Sequence, residues 1–97
     1  MNIVIVGTGY VGLVTGVGFA EQGHTVSFID LDSSKIEKLK KKQLPFFEPD
    51  LDNYFSKKEN FNRMSFHSTY NSLNWDECEI VFICVQTPNN IETNSVD

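Results

Sequence analysis

Ile3-Val4-Ile5-Val6-Gly7-Thr8-Gly9-Tyr10-Val11-Gly12 is the stretch that decides the fold of this chain. Four β-branched residues read as a buried strand, and the proline-free stretch from Val11 to Glu21 can continue as a helix. The GxGxxG pattern therefore lies at a strand-to-helix turn, the one context in which it carries chemical meaning. Gly7 permits the tight turn, Gly9 lets the backbone approach a pyrophosphate, and Gly12 lets the helix pack close to the sheet. Free amide N–H groups at the helix start then face the phosphates, assisted by the helix dipole. The loop is an anion cradle.

Downstream, the first helix runs from Tyr10 to about Gln22 and closes on Gly23 as its C-terminal cap. Gly16, Gly18 and Ala20 weaken it, and close packing against the sheet is the expected return. Thr25 to Ile29 reads as a second strand and ends in Asp30, 18 residues past Gly12. An acid at that distance accepts hydrogen bonds from an adenosine ribose, with Asp32 as the alternate. The same carboxylate repels a 2′-phosphate, and the only arginine, Arg63, stands far along the chain, so NAD is expected over NADP. FAD, whose ADP half is held by a similar loop and acid, is the third cofactor to weigh. Lys35 falls in the first turn of a helix over 34–42 capped by Ser33 or Ser34; it can reach a ribose hydroxyl or stand as a solvated lysine. Ile36 and Leu39 point that helix inward, and its C-terminal lysines outward.

Leu44-Pro45-Phe46-Phe47-Glu48-Pro49 is a loop too apolar for a plain linker, and its phenylalanines are expected to pack as a lid or interface. A short helix over 51–58, a third strand over 63–67, a weak helical turn over 70–75 and a fourth strand over 79–85 follow. Parallel strands joined by right-handed crossovers take the order 3-2-1-4, an α/β Rossmann-type arrangement. That order sets the ends of the first and fourth strands beside the switch-point crevice. Thr87 then either faces the cofactor or simply ends the strand with Pro88.

At 97 residues the chain holds one small domain, and its net charge of −5 argues against nucleic acid or an anionic membrane as the main partner. Residues 3–20 are uncharged, but five glycines, three polar residues and the lack of basic flanks argue against a membrane span. Cys78 and Cys84 have no metal or redox spacing and read as reduced buried thiols of a cytoplasmic protein. His24 and His67 have no partner at metal or catalytic spacing and read as structural.

Gly7-Thr8-Gly9-Tyr10-Val11-Gly12-Leu13-Val14-Thr15-Gly16 resembles the opening of the UDP-glucose/GDP-mannose dehydrogenase family, above all its members that act on UDP-glucose. Ile29-Asp30 with Lys35-Ile36, Pro45-Phe46-Phe47-Glu48-Pro49 and Val85-Gln86-Thr87-Pro88 match in register, so the resemblance spans nearly the whole chain. It implies that Val11, with Tyr10 and the glycines Gly7, Gly9 and Gly12, contacts the pyrophosphate of NAD. Asp30 and Lys35 would hold the adenosine ribose, and Thr87 the nicotinamide side. One departure is visible: the family's Glu-Pro-Gly-Leu is Glu48-Pro49-Asp50-Leu51 here. Family members oxidise the sugar's primary alcohol twice, with two NAD and a cysteine that holds a thiohemiacetal and then a thioester. That cysteine and its helpers fall beyond residue 97, so no catalytic residue and no metal ligand is expected in this chain. It is expected to be the N-terminal part of the NAD-binding domain, truncated before the last two strands, from a homo-oligomeric enzyme. The same role in another nucleotide-sugar dehydrogenase, acting on GDP-mannose or a UDP-N-acetyl sugar, is one alternative, and a non-catalytic NAD-binding module is the alternative from another class.

Overall fold

The β-branched run before the glycines forms a five-residue strand, Asn2–Val6 (β1), and the glycine turn leads directly into the helix Tyr10–Glu21 (α1). The computed structural model describes residues 1–85. Strand Thr25–Ile29 (β2), helix Ser33–Lys40 (α2), helices Pro49–Phe55 (α3) and Lys58–Phe61 (α4), strand Met64–His67 (β3) and strand Ile80–Ile83 (β4) complete the order. All strand pairings are parallel and the order is β3-β2-β1-β4, as expected. Ile5 stands beside Phe28 on one side and Phe82 on the other, which fixes the register across the centre of the sheet.

The alternation of β1 and β2 divides their side chains between two faces. Ile3, Ile5, Val26 and Phe28 face the helices and join Leu13, Val17, Ala20, Ile36, Leu39 and Phe55 in one buried core. Phe28 stacks on Phe66 with centroids 5.4 Å apart, and Phe55 meets Phe66 edge-on at 5.9 Å. Val4, Val6 and Ile29 form a smaller cluster on the other face, covered by Leu73 and Cys78 from the crossover between β3 and β4. That crossover holds two short 3-10 turns, Tyr70–Ser72 and Trp75–Glu77, where one weak helical turn is expected from the sequence. His67 links Ser65 and Ser72 through its two ring nitrogens, at 2.9 and 2.8 Å.

Local chemistry adjusts three expected boundaries. Asp32, not Ser33 or Ser34, caps α2: its Oδ1 accepts the Ser34 amide and hydroxyl at 3.1 and 2.6 Å. The helix expected over 51–58 begins earlier, because Pro49 suits the first turn, and it breaks at Ser56-Lys57 into α3 and α4. Asn60 spans the break: buried to 1% exposure, it donates to Glu21 Oε1 at 2.6 Å and to the Tyr54 carbonyl of α3 at 3.0 Å. Arg63 adds a bond to the Ala20 carbonyl at 3.2 Å, tying the end of α1 to the turn between α4 and β3. Gly23, at φ +98°, ends α1 in the left-handed conformation expected of it.

The helical glycines divide in a way their spacing does not show. A Cβ on Gly16 would lie 2.2 Å from Phe28 Cζ, whereas one on Gly18 would meet nothing within 4 Å. Only Gly16 serves the close packing expected of both, because Phe28 is fully buried and cannot retreat. Gly16→Ala is therefore expected to destabilise the fold by about 1–3 kcal/mol. Gly18→Ala is expected to stabilise it by up to ~1 kcal/mol, both read as shifts of the urea midpoint.

Candidate functional site

Parallel strands point their C-terminal ends the same way, so the turn after β1, the end of β2 and the start of α1 meet at one edge of the sheet. The Gly7 amide donates to the Ile29 carbonyl at 2.8 Å and the Asp30 amide to the His67 carbonyl at 3.0 Å, which laces the ends of β1, β2 and β3 together. Gly7 turns the chain at φ +103°, a region that L side chains rarely adopt. A Cβ there would also press to 2.8 Å on the Cys84 carbonyl carbon. A Cβ on Gly12 would fall 2.0 Å from the Gly7 carbonyl oxygen. Both glycines are required by the fold itself.

Gly9 is not. It is the N-cap of α1 at φ −75°, a conformation any residue adopts, and a Cβ there would meet nothing within 4 Å among the described residues. Serine, threonine or aspartate would ordinarily cap such a helix; here no side chain does. The first α1 bond is the Leu13 amide to the Gly9 carbonyl at 3.0 Å, so the amides of Tyr10, Val11 and Gly12 lack intrahelical acceptors. An uncapped helix start that opens on free space fits a bound diphosphate, and the donor set is the right one for it.

Asp30 adds the second element. Its Oδ2 accepts both the Thr8 amide at 3.0 Å and the Thr8 hydroxyl at 2.7 Å, and its Oδ1 accepts the Asp32 amide at 2.9 Å. Burial pushes the Asp30 carboxyl up, but the Asp32 amide, the Thr8 hydroxyl and amide, and the Lys35 charge outweigh it and hold it below its ordinary 3.8. Asp32, the alternate acid, is committed to the start of α2, where its cap also fixes the turn that carries Lys35. Lys35 borders the same opening: with Gly9, Tyr10, Phe46, Phe47 and Glu48 it lines a cleft of about 430 Å³. Phe46 rests on Tyr10 with ring centroids 5.6 Å apart, while Phe47 is 93% exposed. The apolar loop thus borders the cradle, half anchored and half free. Gly7, Gly9, Tyr10, Val11, Gly12, Asp30 and Lys35 are gathered at one edge, and Thr87 lies outside the described residues. The Thr8–Asp30 pairing is not legible in the sequence, where the one signal is a polar residue between two glycines.

A parallel α/β sheet with an uncapped glycine turn and an acid at the end of the second strand defines a dinucleotide-binding domain of Rossmann type. The model of the UDP-glucose/GDP-mannose dehydrogenase family, NAD binding domain, matches residues 1–97. The chain belongs to that family, and NAD is its cofactor. It is 44% identical over 88 residues to the UDP-glucose 6-dehydrogenase YwqF of Bacillus subtilis, covering 91% of this chain and 20% of that protein. It is 47% identical over 88 residues to a UDP-glucose 6-dehydrogenase of Rickettsia bellii, with the same coverage of 91% and 20%. A ternary complex of GDP-mannose dehydrogenase from Pseudomonas aeruginosa superimposes with a TM-score of 0.80 at 33% identity, over 91% of this chain and 20% of that one. The chain thus spans about a fifth of the length of these relatives.

Because the folded chain holds the Asp30 carboxyl below 3.8, its stabilising contribution is complete above that value and is lost as pH falls through the lower folded value. The stability gap between the wild type and Asp30→Asn is expected to be largest near neutral pH. Urea midpoints measured down to a pH of about 3 are expected to show it narrowing.

Proposed function

We propose that this chain is the cofactor-binding part of a UDP-glucose 6-dehydrogenase, which oxidises UDP-glucose to UDP-glucuronate with two NAD. The observation that carries the reading is the pairing of an uncapped glycine turn with an ionised Asp30 beside it. In this reading the amides at the start of α1 bind the pyrophosphate, Asp30 accepts a ribose hydroxyl, and Lys35 reaches the same ribose from the first turn of α2. Thr87 is assigned to the nicotinamide side. Bound NAD supplies the hydride acceptor; the chain's own residues bind and orient it. The identities of 44% and 47% to named UDP-glucose 6-dehydrogenases support UDP-glucose as the substrate of the whole protein.

A second reading keeps the cofactor and changes the sugar to GDP-mannose, because the Pseudomonas aeruginosa enzyme shares the fold at a TM-score of 0.80. Neither cysteine is assigned to catalysis: Cys84 packs against the main core and Cys78 against the smaller cluster, at the opposite ends of β4. The free state of both fits the proposed cytoplasmic setting. No helix of the described residues is long and apolar enough to cross a membrane. The parent enzyme is proposed to associate as a homo-oligomer.

Calorimetric titration of NADH and NADPH into the chain, with far-UV circular dichroism on the same sample, tests the cofactor half of the proposal. NADH is expected to bind saturably and at least about tenfold more tightly than NADPH. Gly9→Val is expected to abolish NADH binding while the dichroism spectrum stays unchanged, since the fold makes no demand on that position. Equal affinity for both cofactors, or no binding by a folded chain, would count against it.

A further inference from the structure

We propose that Thr8 is a positioning residue for cofactor selection: it locks the Asp30 carboxylate in the orientation that accepts the adenosine ribose and repels a 2′-phosphate. The inference rests on the proposed contact of Asp30 with the ribose. Thr8 is fully buried at the wall of the cleft that Gly9, Tyr10 and Lys35 also line. It spends both its amide and its hydroxyl on one atom, Oδ2 of Asp30, at 3.0 and 2.7 Å. A carboxylate offers about four acceptor positions, two on each oxygen. Thr8 fills both on Oδ2, and the Asp32 amide fills one on Oδ1. Among the described residues that leaves a single position, on Oδ1, for an outside donor.

A half-exposed aspartate would otherwise turn about its side-chain bonds and move its charge away from an incoming phosphate. Three bonds to the ionised form oppose that rotation and keep the group charged, and the hydroxyl bond is the shortest of them. Thr8 also belongs to the glycine turn, so the bond couples the pyrophosphate cradle to the ribose acid. Either element moving would strain the other.

The test uses Thr8→Val, which keeps the buried shape and removes the hydroxyl, and Thr8→Ser, which restores the hydroxyl; Thr8→Ala replaces the valine variant if that one fails to accumulate folded. In the full chain, Thr8→Val is expected to weaken NADH binding by about tenfold. NADPH binding is expected to hold or strengthen, so the selectivity ratio falls, and Thr8→Ser is expected to return both affinities to within about twofold of wild type. Carbon-detected NMR titration of the Asp30 carboxyl gives a readout independent of any cofactor: it is expected to move up in Thr8→Val and back in Thr8→Ser. Unchanged selectivity together with an unchanged Asp30 titration in Thr8→Val overturns the proposal. If the Asp30 titration responds while Asp30→Ala leaves NADH binding and selectivity untouched, the ribose contact is what fails, and the selectivity role fails with it.

Discussion

The contact on which the rest of this structure depends is the approach of Gly12 to the carbonyl of Gly7. No side chain fits between them, since a Cβ at Gly12 would sit 2.0 Å from that oxygen. The helix therefore starts directly over the turn that leaves β1, and its axis is set against the sheet from its first residues. Leu13, Val17 and Ala20 then land on Ile5 and Phe28, and Gly16 repeats the close approach one turn later. The same geometry leaves the first amides of α1 without acceptors at the sheet edge. Packing and the row of open amides thus come from one constraint. A larger residue at Gly12 would disturb both together.

Asp30 shows a second economy of this kind. Its amide is paired with β3, its Oδ2 with the glycine turn and its Oδ1 with the start of α2. A carboxylate so tied is part of the frame that joins three strand ends, and its charge is available at the edge where the cradle opens. Stability and the proposed ribose contact draw on the same group, and the bonds its ionised form accepts in the folded chain link its protonation to folding. The aromatic loop is arranged differently. Phe46 anchors it on Tyr10, and Phe47 is left in solvent beside the cleft.

The breadth of the matches has a simple physical basis. The pyrophosphate and adenosine ribose of a dinucleotide are the same whichever sugar is oxidised, so a domain that recognises them is under one set of geometric demands. Relatives named for UDP-glucose and a structure named for GDP-mannose accordingly share this fifth of their length. Discrimination between sugars has to be carried by contacts to the sugar nucleotide itself.

Much of this architecture is legible from the residues alone. The four β-branched residues before Gly7, the glycine spacing and the acid 18 residues on are local signals, because strand period, turn conformation and helix start are settled by near neighbours in the chain. The strand order follows from crossover handedness and is observed as β3-β2-β1-β4. Other features depend on residues distant in sequence. Gly16 and Gly18 look alike until Phe28 arrives beneath one of them. Asn60, just past the break between α3 and α4, reaches Glu21, 39 residues away, and Asp30 is held by Thr8, 22 residues away. By itself the sequence determined the strands, the cradle and the class of ligand, since those rest on local conformation. Only the tertiary structure decided which glycine bears the packing, which aspartate stands at the edge of the cradle and what holds it there, because hydrogen bonds and contacts between distant segments exist only once the sheet has brought them together.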